Sequence, residues 1–135
     1  MLDHATLIRK AFITAMKGDP GVSGRVGDRV YDEVHSSPTW DFIRIDPPSQ
    51  RKYESSCGVG RECEWRIQLF ARGPNTTGIA DLEAKVFSLL EDSDLSIPAF
   101  SRFDIDFVRS DVRNDAQETS DYHCTMVFNT VSVEH

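Results

Sequence analysis

No stretch of this sequence is apolar over anything near the roughly 20 residues that a membrane-crossing helix requires, which argues against a membrane partner. Lys and Arg form no block anywhere along the chain, and the net charge is −7. Binding to duplex DNA draws on clustered cations that displace counterions, so direct nucleic-acid recognition is disfavoured. An acidic wall past which DNA slides is not. Cysteine is scarce, with only Cys57, Cys63 and Cys124. An odd number, in a chain whose opening Met1-Leu2-Asp3-His4 lacks the basic-then-apolar pattern of a secretory signal, points to reduced thiols and to action in a cytoplasm or in something assembled there. Cys57 and Cys63 stand too far apart for a zinc knuckle, and the histidines have no paired spacing, so no metal or other cofactor is expected.

What is present is a patterned chain of 135 residues, 39% hydrophobic and 27% charged, the size and balance of one soluble domain spanning residues 1–135. The clearest signal is a strand running into a helix. Cys63, Trp65, Ile67, Leu69 and Ala71 alternate with Glu62, Glu64, Arg66, Gln68 and Arg72, and only Phe70 breaks the period of two. Gly73-Pro74 ends the strand, Thr76 or Thr77 can cap the helix, and Ile79, Leu82, Val86, Leu89 and Leu90 repeat at helical spacing.

Asp3 can cap a leading helix whose stripe is Ala5, Ile8, Phe12 and Ala15, widened by Leu7, Ala11 and Met16 and ended at Gly18-Asp19-Pro20-Gly21. Gly18 to Gly27 is glycine-rich and reads as loop. Arg29–Asp32 and Trp40–Ile45 are short strand candidates, the second stopped by Asp46-Pro47-Pro48. Asp46–Gly60 is the longest unpatterned polar stretch, the kind of loop that often carries function. Arg102–Val108 and Tyr122–Val133 alternate as strands on either side of a polar linker, Arg113–Asp121. Val127, Val131 and Val133 share one face of the last strand and Tyr122, Cys124, Met126 and Phe128 the other, so both faces are expected to be covered.

Little here suggests chemistry. Asp104 and Asp106 lie two apart on the wet face of a strand, where solvation explains them far more often than acid–base work does. Gly24-Arg25-Val26-Gly27 and Gly58-Val59-Gly60 lack the strand–turn–helix setting of a phosphate cradle. Cys57, in a Gly/Ser loop, is the one cysteine positioned to react.

The order of elements and several short motifs resemble the tail terminator (tail-completion) family of long-tailed phages and phage-derived particles. The matching parts are the helix with Leu7, Ile8, Ala11 and Phe12, the Val26-Gly27-Asp28-Arg29-Val30-Tyr31-Asp32 segment, and the Phe42-Ile43-Arg44-Ile45 strand. A polar loop, the Trp65–Ala71 strand, the Ala80–Leu90 helix and the closing strand pair complete it. The family often opens its second strand with Pro-Tyr, whereas here Thr39 separates Pro38 from Trp40.

The resemblance implies an α+β fold, a small sandwich of a mostly antiparallel sheet flanked by two helices in the order α-β-β-β-α-β-β. It also implies a structural, non-enzymatic role in the virion tail at the head–tail junction, assembled in the host cytoplasm. About six copies would form a homo-oligomeric ring on the head-proximal end of the tube. That ring would stop polymerisation of the major tail tube protein, present a surface to a head-completion or connector protein, and let DNA pass without specific binding. The polar segments then become candidate interfaces with a neighbouring subunit or the tube, through Arg51, Lys52 and Tyr53 in one and Arg113, Asn114 and Asp115 in the other, since Arg and Tyr favour interfaces. Another neck component, or a small ligand-binding domain or enzyme built around Cys57, is the alternative.

Overall fold

The computed structural model describes residues 3–32, 39–56, 58–91, 95–114 and 121–135. The first helix, α1 (His4–Gly18), is capped by Asp3, whose carboxylate accepts from the Thr6 amide at 3.1 Å. It buries Ala5, Ile8, Phe12 and Met16 at successive turns. A second helix, α2 (Pro20–Val26), occupies the segment expected to be loop. The residues that stop α1 also start α2. Asp19 accepts from the Val22 amide at 3.0 Å, Pro20 presets φ for the first turn, and Val22 and Val26 are buried one turn apart. Gly27 closes it with φ 62°, a conformation that costs other residues.

The sheet is six-stranded. Its path runs β1 (Val30–Tyr31), β2 (Phe42–Ile45), β4 (Gly60–Arg72), β6 (Asp121–Glu134), β5 (Phe100–Asn114), with β3 (Ser49–Tyr53) also paired to β4. Only β1–β2 is parallel. β2 and β3 lie along the same side of β4, interrupted by Asp46-Pro47-Pro48. The strand β3 corrects the reading of Asp46–Gly60 as patternless. Its side chains are polar because it is an edge strand exposed on both faces, so the hydrophobic alternation that marks a strand is missing. The third helix, α3 (Thr77–Glu91), follows β4 as expected.

All three helices send their buried residues into one cluster with Cys63, Trp65, Ile67, Leu69 and Ala71 of β4 and Cys124, Met126 and Phe128 of β6. Trp65 lies at its centre, fully buried, edge-on to Phe12 at 5.3 Å, its indole donating to Thr130 Oγ1 at 3.0 Å. At the rim His4 joins α1 to β6, with Nε2 2.8 Å from Glu134 Oε2 and Nδ1 2.7 Å from Ser132 Oγ. Although Ser, His and Glu meet there, His4 and Ser132 are closed off from solvent, so the trio works as a clasp between chain ends. Cys63 and Cys124 are buried thiols, as their strand positions suggest. Burial, then the Glu83 carboxylate at 3.1 Å, pushes the Cys124 thiol well above its ordinary value.

Candidate interaction surfaces

The face of the sheet opposite the helices is organised in rows, because antiparallel partners stand side by side. In one row Phe42, Phe70 and His123 stack successively, each pair 4.4 Å apart and 10° from parallel. Trp40 packs edge-on to both phenylalanines, at 5.3 and 5.6 Å, and the Arg72 guanidinium lies 4.5 Å from its ring centre. In the next row Gln68 accepts from His123 Nε2 and from Thr125 Oγ1 (2.7 Å), and donates to Asp46 (2.9 Å), which also holds Arg44 (2.8 Å). Phe70, the residue that breaks the alternation of β4, is therefore the centre of a small second core. Val127 is fully buried on this face, between Arg66 and Arg109 on the neighbouring strands. The expectation that the last strand is covered on both sides holds there.

At the other end of the strands the rows reach β3. Arg51 Nε donates to Glu62 at 2.7 Å, and this guanidinium, helped by Asn129, holds the Glu62 carboxyl below its ordinary value. Tyr53 lies across Gly60, where a Cβ would come within 2.8 Å of the Tyr53 carbonyl oxygen and 3.0 Å of the ring. Its hydroxyl accepts from Arg102 Nη1 of β5 at 2.8 Å, a bond that spans β4 and β6. Lys52, on the opposite face of β3, is 76% exposed and 3.1 Å from Glu54.

Of the residues singled out in the sequence, Arg51, Lys52 and Tyr53 come together on β3. Arg113 and Asn114 do not join them. They end β5 at the far end of the sheet, exposed, with Arg113 Nη2 3.4 Å from His123 Nδ1. Tyr53 is level with Val133 and Arg113 with His123, ten residues along β6, or about 33 Å. Cys57, Asp115 and most of the Arg113–Asp121 linker lie outside the described residues. Among the described residues no three His, Cys, Asp or Glu side chains gather as metal ligands.

Two clefts lie beside these strands, the first of them in the polar stretch singled out in the sequence. One, about 640 Å³, lies along the β3–β4 hairpin and is lined by Lys52, Tyr53, Val59 and Arg61 among others. The other, about 300 Å³, lies along the outer side of β5, between Leu90, Glu91 and Leu95 and the strand residues Phe103, Asp104 and Asp106. Here the Glu91 carboxylate accepts from the Phe107 amide at 2.9 Å. The first is local, drawn from one hairpin, whereas the second joins the end of α3 to β5, segments apart in sequence that alternation alone does not bring together.

Comparison with known proteins adds the biological setting. Residues 10–132 match the family described as tail completion protein gp17. No curated protein sequence is significantly similar to the chain. Among solved structures, a chain from the "Virion of native gene transfer agent (GTA) particle" superposes with a TM-score of 0.81 at 20% identity, covering 100% of both chains. That likeness is one of fold.

Proposed function

The chain belongs to the gp17 tail completion family and is a structural protein of a phage-type virion tail, not an enzyme, and from that premise we propose that it is the tail terminator. In this reading about six copies close into a ring on the head-proximal end of the tail tube, block further addition of tube subunits, and offer the opposite side of the ring to a head-completion or connector protein. DNA passes through the ring unbound, in keeping with a net charge of −7 and the absence of any cationic block.

The observation that carries the proposal is the family match over residues 10–132. The architecture supports it in one physical respect. A ring repeats one heterologous contact, so each subunit must offer two different surfaces. This sheet has two unlike edges, long β5 on one side and, on the other, β1 together with short polar β3. Polymerising the cognate tube protein with and without the chain tests the function. Short tubes of narrow length distribution, with the chain retained on them, are expected. Tubes of unchanged length that retain no chain would overturn the reading.

A further inference from the structure

An open strand edge is a row of unpaired amides and carbonyls. A second copy of the same edge complements it, because two identical strands can pair antiparallel about a two-fold axis. The edge strands of this sheet differ in how much they offer. β1 has two residues and β3 five. β5 has fifteen, about 50 Å of extended chain, and among the described residues it pairs with β6 alone. It also carries Val108 and Val112, 50% and 44% exposed. A long edge with exposed valines is the one most prone to take up another copy.

The middle of that edge is already occupied. The Phe107 N–H points away from β6 and donates to Glu91 Oε2 at 2.9 Å. Glu91 is the last residue of α3, and no basic residue stands in that turn. The helix dipole is negative there and disfavours a carboxylate, so the helix itself gives no reason for an anion at this position. The Phe107 amide does. The tie takes up a donor that an incoming strand would need. At the next residue the register with β6 shifts, between Phe107 and Arg109, and leaves Val108 as the extra residue of a bulge. Bulges bend and twist a strand and so interrupt further pairing. Two obstacles to strand addition therefore stand at adjacent positions, at the middle of the longest open edge.

We propose that Glu91 is an edge guard, and that its bond to the Phe107 amide keeps β5 from pairing with β5 of a second copy. Such pairing joins two copies back to back and withdraws both from the head-to-tail contact that a ring repeats. The guard leaves each subunit free to assemble in the productive direction. It does not depend on the terminator reading, which tube length tests separately.

Removing the carboxylate tests it. Glu91→Ala takes away the acceptor and also relieves the helix end of an anion, so the fold is expected to persist, with circular dichroism as the check. Light scattering over a dilution series reads association against the wild-type chain. A hydrogen bond to a charged group is lost in each copy, so pairing is expected to tighten by about tenfold per copy, or about a hundredfold per pair. Amide exchange in β5 is expected to slow at concentrations where the variant associates. Glu91→Gln keeps an acceptor oxygen in place and is expected to follow wild type. Adding Val108→Lys to Glu91→Ala puts a charge on the edge and is expected to return the mass to the wild-type value. A Glu91→Ala chain with wild-type mass at every concentration would overturn the proposal. So would a Glu91→Gln chain that associates as strongly as the alanine variant, because the hydrogen bond would then not be the guard. Association that persists with Val108→Lys, or leaves β5 exchange unchanged, would place the contact elsewhere and overturn it as well.

Discussion

Gly60 is the residue where absence of a side chain matters most. It lets the Tyr53 ring lie across β4 so that its hydroxyl meets Arg102 from the far edge of the sheet. Gly60→Ala would push a methyl against the Tyr53 backbone as well as its ring, and backbone yields less readily than a side-chain tip. Overpacking of this kind is expected to cost about 1–3 kcal/mol, read as a lower urea midpoint at unchanged slope. A midpoint equal to wild type would show that Tyr53 does not depend on this gap. At this scale the sequence spoke clearly about the helix side. Cys63, Trp65, Ile67, Leu69 and Ala71 are all buried where their alternation placed them. It was silent about the other side. Phe70 registered only as a break in a pattern, because its partners Phe42 and His123 come from strands 28 residues before and 53 residues after it.

Among the elements, α2 and β3 were the two that composition concealed, for opposite reasons. In Pro20–Val26 two glycines lower helix propensity, but a capped, proline-started turn with Val22 and Val26 facing the core more than offsets that. Asp19→Ala removes the cap. It is expected to lower stability by about 1 kcal/mol, measured as a shift in the thermal midpoint, with the helix contacts to α1 and α3 loosened rather than lost. No shift would mean that burial of Val22 and Val26 holds the turn unaided. In β3 the difficulty was the reverse. A strand exposed on both faces carries no hydrophobic period, and the cross-strand pairs that fix its register, Arg51 with Glu62 and Tyr53 with Gly60, are visible only once β4 is in place. The long strands and α1 and α3 were legible because each buries a continuous face. The edges, where the candidate interfaces lie, bury little within one chain.

For the whole molecule, that division has a consequence. Elements that complete the core are specified within the chain, whereas β3 and β5 each pair with a strand on one side alone among the described residues. Two unlike edges suit head-to-tail closure better than two-fold pairing, which would set each edge against itself. A terminator ring belongs at one end of the tube and nowhere else. Its position is tested most directly by counting labelled copies of the chain on isolated tails by electron microscopy. A single cluster of about six copies at the head-proximal end of every tail of normal length is the predicted result. Label distributed along the tube, or confined to the opposite tip, would contradict it.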